Sequence, residues 1–181
     1  MVAEDPTALL IGFCLDQQIT VEWAFQGPLN ILQRTGTADA AEIARMDPAK
    51  LEAAFRKPPA IHRYPASMAR RVQALCEVIA QQYANDASRI WIEAEDAQAL
   101  QKRFQALPGF GPDKSRIMVG VVAKQLGVKP KGWQQVAPGW PTLADVHTVA
   151  EREEYQAQKR AWKAEMRAKG EPPAPRSRGR R

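Results

Sequence analysis

Helix starts written as an acid followed by proline punctuate this chain and leave little room for strands. Asp5-Pro6 and Asp47-Pro48 each place a capping side chain before a proline at the first helical position, where a missing N–H costs nothing. Leu9, Leu10, Phe13 and Leu15 continue the first start as an apolar face reaching Gln18. Thr20 caps a second start at Val21-Glu22-Trp23. Gly27-Pro28 is expected to reset the chain into Leu29 to Gln33, and Gly36 to stop it. A helix over Leu51 to Phe55 follows Asp47-Pro48, and the proline-rich segment 57–65 reads as a loop. A long expected helix, from about Pro65 to Tyr83, carries Met68, Val72, Leu75, Ile79 and Tyr83 on one stripe. Asp96 caps Ala97 to Ala106, and after a tight turn another helix runs to about Leu126. Residues 129–141 form an unpatterned Pro/Gly/Trp loop before a charged helix over about 149–169. With no alternating strand pattern and no internal repeat, the expected fold is all-α.

A length of 181 residues fits one domain with a small appendage, large enough for a core without a disulfide or metal staple. Residues 1–150 are expected to form the body, with 149–169 packed on it. Residues 170–181, rich in proline and arginine, read as a disordered basic tail. The longest apolar stretch, Ala8 to Leu15, is too short to span a bilayer and follows acids rather than a basic leader. The two cysteines, Cys14 and Cys76, exclude a four-cysteine iron–sulfur cluster or a cysteine-rich zinc site within the chain, and no transition metal is expected. Both fit reduced, buried thiols of a cytoplasmic monomer without a membrane partner.

Net charge is +6, but its placement matters more than its sum. Residues 159–181 hold nine bases and two acids, so everything before them nets −1. Two basic patches stand out inside that body: five bases and no acid over 55–73, and seven bases with one acid over 102–131. A polyanion such as DNA is the partner these patches suit.

The second patch surrounds Leu107-Pro108-Gly109-Phe110-Gly111-Pro112-Asp113-Lys114-Ser115, set between two expected helices. Its glycines allow positive φ and leave backbone N–H groups open, and Pro112 starts a helix whose positive dipole end faces outward. Such a turn can hold a phosphate oxygen, assisted by Lys114, Arg116, Lys102 and Arg103. It can equally be an ordinary helix–helix turn closed by Gly and Pro. The following Ile117 to Ala123 is apolar nearly all round, which anchors the turn to a buried helix.

Leu-Pro-Gly-Phe-Gly in a small all-α chain resembles the helix-hairpin-helix/Gly-Pro-Asp superfamily of base-excision DNA glycosylases, to which endonuclease III and the alkyladenine glycosylases belong. Leu10-Ile11-Gly12-Phe13-Cys14-Leu15-Asp16-Gln17-Gln18-Ile19-Thr20 is similar to that group's early helix ending in a glutamine pair. The likeness covers roughly residues 5–150 and points to a little-characterised, cluster-free bacterial branch. It implies a two-lobed helical fold, flipping of a damaged or mismatched base from duplex DNA, and cleavage of its N-glycosidic bond. It also implies phosphate binding at Gly109, Phe110, Gly111 and Lys114. A monovalent cation, Na or K, would be held by the carbonyls of Gln105, Leu107 and Phe110. Gln18, with Gln17 beside it, would fill the gap left by the flipped base. For both glutamines helix-end capping or a buried amide is the plainer alternative.

Two departures bear on catalysis. Strand-cleaving members of the group use a lysine two positions after the second hairpin glycine, where this chain has Asp113. Lys114 lies one place later, rotated by about 100° on a helix, which argues against a Schiff-base lyase. The group's aspartate lies about 18 residues beyond the hairpin, but no acid occurs between Asp113 and Asp145. Asp145, with Asp113 as alternative, is therefore the candidate carboxylate for stabilising an oxocarbenium-like sugar or activating water. Asp145 also reads as the cap of the last helix. His62 and Tyr64 in the proline loop, and Trp23 near Gln18, are candidates for a base pocket. Plain exposure for the histidine and core packing for the tryptophan are the alternatives. Three functions stay open: a monofunctional glycosylase associated with the nucleoid, a non-catalytic lesion-binding module, or a helical protein-interaction domain.

Overall fold

The computed structural model describes residues 5–140, 142–146 and 148–170. Among them all regular structure is helical. The chain divides into two compact units, residues 1–94 with 102–110, and residues 95–101 with 111–181.

The first unit is built around α1 (Pro6–Leu15). Asp5 caps it by accepting the amides of Thr7 and Ala8, and Ala8 through Leu15 are all buried rather than only one face. A helix apolar on every side must be surrounded. Around it lie α2 (Val21–Thr35) and α5 (Pro65–Gln82), and α5 in turn carries α3 (Ala40–Arg45) and α4 (Pro48–Arg56). The stripe Met68, Val72, Leu75 and Ile79 is buried as expected, together with Ala69 and Cys76. The short helix α6 (Arg89–Ile92) and the second half of α7 (Ala97–Ala106) complete the unit, where Phe104 and Phe110 stack with ring centroids 6.3 Å apart.

Gly27-Pro28 does not reset the chain. Helix α2 runs unbroken through Pro28 to Gly36, whose φ of 86° ends it. Packing overrides the local preference here. Gly27 and Pro28 are buried, and a Cβ at Gly27 would sit 2.2 Å from Leu15 Cδ1 and 3.6 Å from Ile61 Cγ2. The glycine lets α1 approach, and the burial gained offsets the lost proline hydrogen bond.

The second unit centres on α8 (Pro112–Lys124), whose residues Met118 through Ala123 are buried. Against it pack α9 (Trp133–Val136), a helical turn inside the segment read as irregular, and the 3₁₀ turn Leu143–Asp145. A Cβ at Gly120 would meet Ala144 and Ala137 at ordinary contact distance. Helix α10 (Val149–Ala168), 20 residues against 18 for α5, is the longer, as the ranges expected for the two already imply. Of its described side chains only Tyr155 and Met166 are half-buried. The basic tail assigned to 170–181 lies, beyond Gly170, outside the described residues, as do Pro141 and His147.

Gly27→Val should overfill the α1–α2 contact and destabilise the first unit by about 2 kcal/mol. A lowered denaturant midpoint at unchanged slope, followed by circular dichroism, checks this.

Candidate nucleic-acid interface

Two motifs far apart in sequence meet in the first unit. Gly109 has φ of 90°, and a Cβ there would lie 3.0 Å from both Cys14 Sγ and Arg71 Cδ, and 3.4 Å from Gln17 Nε2. The Cys14 thiol donates to the Pro108 carbonyl at 3.7 Å. The first half of the turn is thus seated on the C-terminal end of α1, and no residue but glycine fits both the backbone and the space.

Gln17 is half-buried and makes three hydrogen bonds within the protein. Its Nε2 donates to the Cys14 carbonyl at 2.9 Å, its Oε1 accepts from Arg71 Nη1 at 2.7 Å, and its backbone carbonyl accepts from His62 at 3.0 Å. Helix-end capping, the plainer alternative, describes it. Gln18 differs: it is exposed, at φ of 62°, an unusual conformation for a residue other than glycine. Tyr64 Oη lies 3.4 Å from Gln18 Oε1, and Tyr64 is 42% exposed with the Arg63 guanidinium 5.4 Å from its ring centroid.

For two of the other pocket candidates burial overturns the plainer alternative. His62 is not exposed but 0% accessible. Its Nδ1 accepts the Tyr64 N–H at 2.9 Å, so Nε2 carries the proton and donates to Gln17. With both nitrogens engaged inside the unit, His62 ties the proline loop to the end of α1. Desolvation lowers its pKa below the ordinary 6.5, opposed by the Gln17 and Leu15 carbonyls and aided by Arg71. Trp23 is not core: it is 40% exposed at the start of α2, where Thr20 accepts its amide. Phe25 is half-buried, edge-on to Phe13 at 5.1 Å. Arg34, unremarked in the sequence, fixes the proline loop by donating to the carbonyls of Ala54, Lys57 and Pro59.

At the start of α8 the two hairpin glycines part company. Gly111 is the N-cap, with an ordinary φ of −88° and open space where its Cβ would be. Positive φ therefore explains Gly109 only. No side chain caps α8, its first position is Pro112, and Asp113 stands exposed in the first turn. An uncapped helix start facing open space suits an anion. Lys114 is half-buried. Arg116 is less available than its charge suggests, since Nε donates to the Val136 carbonyl at 2.9 Å and its guanidinium lies 5.5 Å from the Trp140 ring centroid. Arg103 likewise donates to the carbonyls of Arg89, Ile90 and Glu93. The Leu107 carbonyl accepts the Phe110 amide at 3.1 Å.

Asp145 does not cap the last helix. Thr148 does, in a reciprocal capping box with Glu151. Asp145 instead ends the 3₁₀ turn, with Oδ1 paired to Lys124 Nζ and Oδ2 accepting from the Thr142 amide at 2.8 Å and hydroxyl at 3.3 Å. Burial raises its pKa, but Lys124 and Thr142 together outweigh that and hold the carboxyl below the ordinary 3.8. Asp145 is thus ionised at neutral pH, and the stability this pairing adds is present above about 3.8 and lost as acid protonates it. Neither the Lys124 partner nor the Cys14–Pro108 and Arg71–Gln17 contacts had a local sequence signal. Each joins residues at least 21 apart.

Among the described residues, no group of three or more His, Cys, Asp or Glu is placed to hold a metal ion, and no helix is long and apolar enough to cross a membrane.

Gly109→Ala should cost about 2 kcal/mol through strain and crowding, whereas Gly111→Ala should cost under about 1 kcal/mol; thermal unfolding compares them. Lys124→Met should bring the Asp145 carboxyl up toward its ordinary value, read by carboxyl NMR titration. Its stability cost should stay under about 1 kcal/mol, because the pair is about a third exposed.

A family model described as HhH-GPD superfamily base excision DNA repair protein matches residues 11–169. No curated protein and no solved structure matches the chain.

Proposed function

Since the chain belongs to the HhH-GPD superfamily of base excision DNA repair proteins, we propose that it is a monofunctional DNA N-glycosylase, hydrolysing a damaged or mismatched base from duplex DNA. The observation that carries the DNA-binding half is Gly111. Neither its φ nor its surroundings require glycine, yet it opens an uncapped helix start, as approach of a phosphate to the backbone amides would demand. Gly109, Phe110, Gly111 and Lys114 form the phosphate contact in this reading. A Na or K ion at the Gln105, Leu107 and Phe110 carbonyls would supply positive charge beside the phosphate. Gln18 is the glutamine that reaches DNA, and Gln17 holds it in place.

Hydrolysis without strand cleavage is favoured by Asp113 at the position where a lyase needs a lysine. Asp145, ionised and about a third exposed, is the carboxylate assigned to stabilise positive charge on the sugar; Asp113 is the alternative. A second reading, lesion binding without chemistry, is favoured by one observation. Both Asp145 oxygens already have partners, which weakens a carboxylate as base.

A panel of duplexes carrying uracil, hypoxanthine, alkylated or oxidised bases, with alkali treatment of the products, separates the two. Base release abolished by Asp145→Asn at unchanged DNA affinity supports the glycosylase. Tight binding with no release from any lesion supports the binding module. Gly111→Ala should weaken salt-dependent DNA binding about tenfold while unfolding normally. A borohydride-trapped covalent product would overturn the hydrolytic reading.

A further inference from the structure

Gln17 and Tyr64 are distant in sequence, and one buried ring joins their backbones. His62 holds the Tyr64 N–H at Nδ1 and the Gln17 carbonyl at Nε2. Beyond each end of that bridge lies an exposed group, Gln18 on one side and the Tyr64 ring on the other, whose side chains meet at 3.4 Å. The Gln17 carbonyl shares its peptide plane with the Gln18 N–H. Anchoring that carbonyl therefore fixes the orientation in which Gln18 departs, at a positive φ that persists only where the surroundings hold it.

We infer that His62 is a positioning residue: in its neutral form it sets the Gln17–Gln18 peptide and the start of α5 at Tyr64, and so presents Gln18 and Tyr64 together to DNA. This rests on the reading of Gln18 as a DNA contact. A second proton on the ring would place an N–H at Nδ1 directly against the Tyr64 N–H, two donors in a fully buried space. Of the groups acting on the ring, Arg71 adds a positive charge that also disfavours the second proton, whereas the Gln17 and Leu15 carbonyls favour it; the Tyr64 ring lies 6.0 Å away by centroid. Acid should therefore release the bridge, and with it both the stability it adds and the paired presentation. Because burial lowers the pKa in the folded protein, the stability is lost as pH falls from 6.5 through the lowered value, and the paired presentation goes only as pH passes that lowered value.

Two amide substitutions separate the ends of the bridge. His62→Gln can keep an Nε2 donor for Gln17. His62→Asn can accept the Tyr64 N–H locally but is too short to reach Gln17. Lesion-duplex affinity of the unsubstituted protein should fall about five- to tenfold as acid protonates the His62 ring, whose titration is followed by NMR over the same pH series. His62→Gln should stay near the neutral-pH affinity throughout, and His62→Asn should be weak at both. The loss from His62→Asn should also disappear in a Gln18→Ala background, which a general loss of folding would not produce. Identical pH profiles in the unsubstituted protein and His62→Gln, or full additivity with Gln18→Ala, overturn the proposal. If the protein binds no duplex at any pH, the DNA reading fails by itself. The bridge is then judged in the DNA-free protein by NMR. Gln18 and Tyr64 amide shifts that follow the His62 ring titration support it, and shifts that do not follow refute it.

Discussion

How closely the turn backbone approaches the end of α1 decides what the first unit can offer DNA. At Gly109 the space for a side chain is already taken by Cys14, Arg71 and Gln17. That contact ties a turn to the buried central helix, so its amides are held by a rigid support rather than by a free loop. It also recruits Gln17 into the same small cluster, where its amide is used up by Cys14 and Arg71. The neighbouring glutamine, Gln18, is left facing solvent. One glycine contact thus divides the two residues of the pair between support and display.

A similar division runs through the charged residues. Composition counts every arginine as free to meet a phosphate. Several instead donate to backbone carbonyls: Arg34 on the proline loop, Arg103 at the end of α6, Arg116 at the end of α9. A guanidinium is suited to this, since its planar fork of five donors satisfies several carbonyls at once. The basic patches read from the sequence are real as charge, but part of that charge is committed to holding loops in place. In the first unit Arg56, Lys57, Arg63 and Arg70 stay exposed alongside Gln18, Tyr64 and Trp23. A mixed surface of that kind suits phosphate contacts together with stacking and hydrogen bonding to bases.

Asp145 shows how one residue type can serve two ends. The sequence offered it as a catalytic carboxylate or as a helix cap, and the cap turned out to be Thr148. What Asp145 does locally is close a 3₁₀ turn and pair with Lys124 across to α8. Such a pair keeps the carboxylate charged, which an electrostatic role toward a developing cation needs. It also ties up the lone pairs that a general base would use.

The all-α character, most helix starts and the special nature of the Gly109 turn were legible in the sequence, because each is dictated within a few residues. Asp5, Asp47 and Asp96 cap helices by reaching amides two or three residues ahead, and Gly36 and Gly109 mark backbone that only glycine adopts cheaply. Tertiary structure alone decided that α2 runs through Pro28, that His62 is buried and Trp23 exposed, and that Asp145 pairs with Lys124. Each of those outcomes depends on a partner distant in the chain: Leu15 against Gly27, Gln17 against His62, α8 against the 3₁₀ turn. Local sequence fixes torsion angles and caps, whereas burial and hydrogen-bond partners are settled by whatever the fold brings into contact.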